Sequence, residues 1–312
     1  GDIKYVWEKA RFSFLYDIIR YDYHFNDDQS KLVFKEIEDF INKNPINKGP
    51  NYKCSQEISL RVLNWTFALY YYKDSKNLNE NLFQIIINNI YWQIHHVYNN
   101  INFSRISVRN NHAITETLLL FLSQKLFPFF PNVKKWSKKG KKWFEQEITY
   151  QIYPDGTFLQ FSMNYHRTVV QLLTWGIQLA KLNNEEFTYD VYDRAKKSLN
   201  FLDSCMDPIS GELPNYGSND GALFFKLTDN DYRNYQSQLD DLRAILFGFV
   251  NKNSESQQWY RLKDLKVINN SKEGIFSFKD GGYQIIQESD VKTFLRCGSY
   301  KDRPFQADNL HL

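Results

Sequence analysis

Six histidines occur in this sequence, and two of them, His112 and His166, stand in polar company where a loop enters an apolar run. In "RNNHAITETLLLFL", residues 109–122, Asn110, Asn111 and His112 precede Thr115, Glu116 and a run of Leu and Phe. In "NYHR", residues 164–167, Tyr165 stands beside His166 and Arg167. Side chains of these types donate hydrogen bonds and move protons, so both stretches are candidate sites. Each also has a plainer reading. Asn is a favoured helix N-cap, and "NYHR" can be a buried Tyr with a satisfied hydroxyl beside an exposed His. Capping does not account for two consecutive Asn followed by His112, Thr115 and Glu116. Glu116 lies one helical turn beyond His112, where it can orient the imidazole.

Other chemistries find little support. There is no GxSxG elbow, P-loop, dinucleotide fingerprint or HExxH motif. Cys54, Cys205 and Cys297 are far apart and odd in number, so they form neither a disulfide framework nor a CxxC metal site. The net charge is +3, with basic and acidic residues interspersed, which gives no electrostatic footprint for nucleic acid. In "KKWSKKGKKWFEQE" the lysines at 134, 135, 138, 139, 141 and 142 spread around much of a helix and read as a solvated face. Glu57 and Arg61, at i, i+4 spacing, suggest a modest ion pair. Asp155, Asp207 and Asp220 fall in loops and leave the paired carboxylates of a glycosidase open.

The elements that position these residues are mostly helices. Aromatics make up 17% of 312 residues while Gly (13) and Pro (8) are scarce, a balance suited to long helices with heavy aromatic faces. The chain is long enough for one large domain, or a domain plus part of another. Apolar periodicity predicts helices in "SLRVLNWTFALYYY" and "LFQIIINNIYWQIHHVY", and over Ala113 to Phe127, Lys134 to Ile152, Tyr165 to Leu182, Tyr189 to Met206 and Asp229 to Phe247. Breaks such as "PDG" at 154–156, "DPISG" at 207–211 and "PNYGSNDG" at 214–221 are short, which favours antiparallel hairpins. No fixed-period repeat is present, which argues against a regular solenoid. After about Asn253 the pattern becomes β. Ile275 to Lys279, Tyr283 to Glu288 and Lys292 to Cys297 read as strands, with "KDGG" as the first turn. The expected organisation is a helical domain over 1–252 and the start of an antiparallel β domain over 253–312, continuing beyond Leu312 in a longer protein. No apolar run reaches the roughly 18–20 residues of a membrane span, and no basic region followed by an apolar core opens the chain.

Six segments in order carry a resemblance: "WEKARF" (7–12), "KCSQEISLRVLNW" (53–65), "RNNHAITETLLLF" (109–121), "QIYPDGTFLQFSMNYHR" (151–167), "LPNYGSNDGA" (213–222) and "LRCGSYKDRPFQADNLHL" (295–312). Together they resemble the heparinase II/III-like polysaccharide lyases over nearly the whole chain. The resemblance implies a mainly α fold, an incomplete (α/α) toroid of antiparallel helical hairpins followed by the first strands of an antiparallel β-sandwich. It implies β-elimination on a uronic-acid-containing polysaccharide, in a periplasmic or secreted location.

In that chemistry the C5 proton beside the uronate carboxylate is removed, an enolate-like dianion develops, and O4 departs. Donors aimed at the carboxylate lower the barrier. The resemblance makes Asn111 and His112 these neutralisers and Tyr165 the acid, base or both, with His166 a second catalytic candidate. A free Tyr hydroxyl titrates near ~10 and needs activation by its neighbours. Glu116, Arg167, Asn219, Asp220 and His311 are the expected substrate-binding residues. The reaction requires no cofactor. A structural metal on Asp308 is implied by the family but weakened by Gln306, which stands where family members tend to carry a His; zinc prefers Cys, His or carboxylate. The expected partner is an acidic polysaccharide, with oligomeric state and the particular uronate left open. Two alternatives stand beside this reading: a glycan-binding or capsule-assembly protein on a lyase scaffold, and a toroid glycoside hydrolase.

Overall fold

The computed structural model describes residues 2–268, 273–288 and 291–298. Helices dominate up to residue 247, and the described residues divide into two compact units. The first comprises residues 2–144 with Phe224–Leu227, and the second Glu145–Leu223 with the described residues from Thr228 onward.

In the first unit, α1 (Lys4–Ala10), α2 (Leu15–Phe25) and α3 (Ser30–Lys43) lead through a 3-10 turn at Pro50–Tyr52 into α4 (Ser55–Tyr71). The chain continues through α5 (Glu80–Asn102), a π-helical turn (Phe103–Val108), α6 (Asn111–Leu126) and the first part of α7 (Val133–Gln151). The centre of this unit is α6, in which every residue from Ala113 to Ser123 is buried. A helix apolar on all sides belongs in a core. Leu118, Leu119, Leu120, Phe121 and Leu122 are fully buried, each contributing about 1.5–3 kcal/mol of transfer free energy. The hydroxyls of Thr115 and Thr117 return to the carbonyls of Asn111 and Ala113 at 2.9 and 2.7 Å, so they cost the core little.

The lysine-rich α7 is amphipathic: Trp136, Ser137 and Phe144 face inward, while Lys134, Lys135, Lys138, Lys139 and Lys142 are exposed. This is the solvated face read from the sequence. Gly140 lies where α7 crosses α6, and a Cβ there would come 2.4 Å from the Phe121 backbone nitrogen. The Ser137 hydroxyl seals the crossing with a 2.6 Å bond to the Phe121 carbonyl.

The expected Glu57–Arg61 ion pair is replaced by two separate clamps. Glu57 takes Arg11 in a two-bond fork at 2.8 and 2.9 Å. Arg61, fully buried, donates to Gln93 and to the Ala10 and Asn51 carbonyls, with its guanidinium over the Phe40 and Tyr52 rings. Both carry α1 and the 50–52 turn onto α4. A local i, i+4 pair gains a few tenths of a kcal/mol, whereas a buried guanidinium must satisfy all its donors, so the tertiary partners win.

In the second unit, α8 (Met163–Leu182), α9 (Tyr189–Cys205) and α10 (Gln236–Phe247) pack together. Helix α10 starts seven residues later than the periodicity predicts. The intervening stretch is spent on the 210–215 loop: Arg233 donates to the Leu213 carbonyl, Asn234 to the Ser210 carbonyl, and the Tyr235 amide to Gly211. A short parallel pair that the sequence reading missed, β1 (Phe249–Val250) with β2 (Lys266–Val267), follows, with the one-turn α11 (Ser256–Trp259) between them.

The strands β3 (Gly274–Phe278), β4 (Tyr283–Glu288) and β5 (Val291–Arg296) form an antiparallel meander, within one residue of expectation. "KDGG" is its first turn, pairing Phe278 with Tyr283. Phe278 and Tyr283 pack on Phe201 of α9 with ring centroids 4.9 and 5.0 Å away. Asp155 holds the turn by accepting from the Asp280 and Gly281 amides at 2.6 and 3.1 Å. Among the described residues no helix is long and apolar enough to cross a membrane.

Helix propensity alone favours Ala over Gly by roughly 1 kcal/mol, so Gly140→Ala would stabilise an open helix. Here the crossing reverses the sign, and overpacking should cost about 1–3 kcal/mol. Thermal unfolding checks this: the melting temperature should fall, and an unchanged or raised value would remove the close crossing from the account.

Candidate functional site

Two helix starts hold the residues singled out in the sequence, and both are built alike. A non-glycine residue in the left-handed region comes first, Arg109 (φ 47°) or Phe161 (φ 49°). A capping side chain follows: Asn110 Oδ1 accepts the His112 amide at 3.0 Å, and Ser162 Oγ accepts the Tyr165 amide at 3.1 Å. Capping thus belongs to Asn110 and Ser162, and both helices begin two residues earlier than predicted. Left-handed backbone at residues other than Gly costs about 1–3 kcal/mol and persists only where the surroundings enforce it.

At the first start, the π-helical turn ends α5 and delivers Arg109, whose amide bonds back to the Ser104 carbonyl at 2.6 Å. Asn111 is buried and His112 half-buried in the first turn of α6. His112 lines a cavity of about 570 Å³ with Trp7, Tyr52, Cys54, His96, Ser104 and Glu116, all in the first unit. The backbone donors of a helix start favour negative charge.

The expected Glu116–His112 link is replaced by two others. His112 Nδ1 lies 3.7 Å from the Cys54 thiol, and Glu116 Oε2 lies 2.6 Å from the Ser104 hydroxyl. The Ser104 hydroxyl donates to Glu116 Oε2 and also lies 3.1 Å from the Ile101 carbonyl. The bond to Ser104 favours the carboxylate, and burial outweighs it, pushing the Glu116 carboxyl up to about 8.

At the second start, the 213–222 loop is fastened to the head of α8. The Ser162 hydroxyl donates to the Ser218 carbonyl at 2.6 Å and the Met163 amide to the Tyr216 carbonyl at 3.1 Å. Gly217, at φ +77°, passes so near the Phe161 carbonyl that a Cβ would sit 2.2 Å from its oxygen. This docking brings Asp220, exposed in the loop, to the half-buried Tyr165, whose hydroxyl donates to Asp220 Oδ2 at 2.8 Å. Asn219 shapes the loop, accepting from Tyr232 Oη at 2.6 Å and from the Gly221 amide at 3.1 Å.

His166 and Arg167 do not join this surface. His166 is buried between Phe158 and Phe201 with Nε2 against the Ser198 hydroxyl, and burial pulls its imidazole down to about 3. Arg167 is buried, stacked on Tyr232 and Tyr235 at 4.4 and 4.2 Å, and bonded to Asn164 and to the Tyr232 and Ala222 carbonyls. Their positions one and two residues after Tyr165 turn them about 100° and 200° around the helix, into the interior. The structure thus places His166, expected as a catalytic candidate, in the core, and Arg167, expected as a substrate binder, as a clamp on the loop. Two of the three loop carboxylates are likewise structural. Asp155 ties down the β3–β4 turn, and Asp207 accepts the Ile209 and Ser210 amides at 3.0 and 2.7 Å. The sequence reading missed Cys54, Ser104 and the Tyr165–Asp220 pair, each set by residues distant along the chain. Gln306, Asp308 and His311 lie outside the described residues. Among the described residues no group of three or more His, Cys, Asp or Glu side chains could hold a metal ion.

Two of the buried titratable groups, Glu116 and His166, shape stability in opposite directions. Folded Glu116 keeps a proton that the unfolded chain releases above 4.5, so stability falls as pH rises from about 4.5 to about 8. His166 refuses a proton that the unfolded chain takes up below 6.5, so stability falls as pH drops from 6.5 towards about 3. Each limb has a slope of up to about 1.4 kcal/mol per pH unit. Denaturant unfolding at several pH values should show a flatter alkaline limb in Glu116→Gln and a flatter acid limb in His166→Asn. Limbs parallel to the wild type in both variants would contradict the assignment.

The family described as Heparinase II/III N-terminus matches residues 2–243. Comparison with curated proteins gives no match. Among solved structures, a heparan sulfate lyase HepC mutant from Pedobacter heparinus is similar at 17% identity and a TM-score of 0.63, over 96% of this chain and 45% of that one. A heparinase III gene product with methylated lysines gives 18% and 0.62 over 96% and 47%. A heparinase III gives 16% and 0.59 over 85% and 41%. The chain spans less than half the length of these structures. At such identities the likeness shows the fold: helices of the (α/α) toroid class followed by antiparallel strands. By the match over residues 2–243, the chain belongs to the heparinase II/III family, through that family's N-terminal region.

Proposed function

We propose that the protein containing this chain is a lyase that cleaves a uronic-acid-containing polysaccharide by β-elimination. The observation that carries the reading is the head of α6, where Asn111 and His112 stand in the first turn and His112 lines a cavity with Glu116, whose carboxyl burial pushes up to about 8. Such a pocket receives a carboxylate at low cost. The helix start and the side-chain donors favour the anion, and the acid beneath adds no opposing charge. Asn111 and His112 neutralise the uronate carboxylate as the C5 proton leaves.

Tyr165 is the acid and base, and Asp220 supplies what a phenol lacks. As the phenol oxygen takes the C5 proton, its own proton passes to Asp220 Oδ2. When the C4–O4 bond breaks and the C4–C5 double bond forms, the phenol protonates O4 and recovers its proton from Asp220. No proton is gained or lost over the cycle. The substrate is an acidic glycan. The named relatives include a heparan sulfate lyase, which makes glycosaminoglycans the first polymers to try.

The test is ultraviolet absorbance of the unsaturated product when the full-length protein meets a panel of uronate polysaccharides. Tyr165→Phe should reduce turnover to background, and Asp220→Asn should lower kcat by about 10²-fold, the usual scale of proton-transfer assistance. Asp220 also motivates the second reading, a toroid glycoside hydrolase. Hydrolytic products, with activity lost in Asp220→Asn and spared in Tyr165→Phe, would replace the lyase by that hydrolase. Binding without turnover would make the protein a glycan-binding module.

A further inference from the structure

A net charge of +3 conceals an uneven distribution. Residues 81–144 hold nine of the 39 Lys and Arg residues but one of the 36 Asp and Glu residues, the buried Glu116. Six of those nine cations lie on α7. At helical spacing Lys134, Lys138 and Lys142 form one row along it, and Lys135, Lys139 and Trp143 form a second row beside the first. The second row meets Tyr98 of α5. Lys135 Nζ lies 5.9 Å from the Tyr98 ring centroid, and Lys139 Nζ lies 5.4 Å from that ring and 5.5 Å from the ring of Trp143. The five lysines of the two rows are exposed, and among the described residues none of them pairs with a carboxylate. Like charges one turn apart repel, and a face that served solubility alone would mix both signs.

We propose that this face of α5 and α7 is a second binding site for an acidic polysaccharide, which holds the polymer beside the cavity at the head of α6. The inference rests on the lyase reading for the identity of the polymer but not for the charged face itself. Rings and charges act together here. An aromatic ring attracts the ammonium group above it, which narrows the positions a flexible lysine explores, so less freedom is lost when an anion arrives. Successive lysines of a row stand about 6 Å apart along the helix axis, so the repeated sulfate or carboxylate groups of one chain meet several cations. The face is also continuous with the cavity. Phe103 lines the cavity and opens the π-helical turn, and Arg105 of the same turn lies 4.9 Å from the Trp143 ring that Lys139 shares. With Trp136 and Phe144 turned inward, α7 has no apolar stripe to bury in a bilayer, which sets this face apart from a membrane-binding helix.

Equilibrium binding of the full-length protein to long heparan sulfate chains and to a heparan sulfate tetrasaccharide tests this without turnover. The tetrasaccharide is too short to cover both sites, so the long chain should bind more tightly, and raised salt should narrow the gap. Lys135→Gln, Lys138→Gln, Lys139→Gln and Lys142→Gln combined should reduce the advantage of the long chain about 10-fold, the scale of several exposed ion pairs. Lys31→Gln, Lys35→Gln, Lys43→Gln and Lys48→Gln combined remove the same charge from exposed positions elsewhere in the first unit and should leave that advantage in place. With an active substrate, the α7 variant should raise KM for long chains and leave kcat unchanged. An equal loss in the control variant, an unchanged advantage in the α7 variant, or no binding of long chains at low salt overturns the proposal. So does single-stranded DNA or a phosphatidylserine vesicle held more tightly than heparan sulfate through the same lysines. Binding decides even for a protein that turns over no uronate polymer, so failure of the lyase reading and failure of this one are separable.

Discussion

A helix buried along its whole flank can meet a ligand only at an end, and α6 is such a helix. Residues Ala113 to Ser123 are enclosed, so the first turn is where function can reside. The polar residues Asn110, Asn111 and His112 are affordable there because the backbone amides of a helix start need partners in any case. The rigidity of the packed segment holds that first turn in place. A preorganised donor is useful only when it does not relax towards the charge it is meant to stabilise.

The same economy explains the high aromatic content. Three of the buried guanidinium groups lie over rings: Arg61 over Phe40 and Tyr52, Arg167 over Tyr232 and Tyr235, Arg296 over Phe161 and Tyr283. An aromatic face offers a cation favourable electrostatics without the desolvation of a second charge. These seats connect structure to site. Arg167 joins α8 to the loop that carries Asp220, and Arg296 on β5 packs against Phe161, the left-handed residue just before the α8 cap. The strands are thereby part of how Tyr165 is presented.

Charge inside the cavity of the first unit follows from burial more than from residue type. Glu116 would be an anion in water, and burial pushes its carboxyl up to about 8 against the opposing bond from Ser104. Cys54 keeps its proton for the same reason. A pocket in which burial drives Glu116 and Cys54 towards their neutral forms is suited to one incoming negative group.

By itself the sequence determined the helical class, the order of the hairpins, the β meander with its "KDGG" turn, and the two helix starts at which polar residues gather. All of these follow from local periodicity, turn chemistry and capping, which act over a few residues. Adjacency along the chain also suggested wrong partners. Glu57 beside Arg61, Glu116 below His112, and His166 and Arg167 beside Tyr165 each looked like a unit because they are near in sequence. Only the tertiary structure decided that Glu57 takes Arg11, that Cys54 meets His112, that Asp220 meets Tyr165, and that His166 and Arg167 turn inward. Buried hydrogen-bonding groups must be satisfied by whatever the packing brings close, and helices bring together residues that are tens of positions apart.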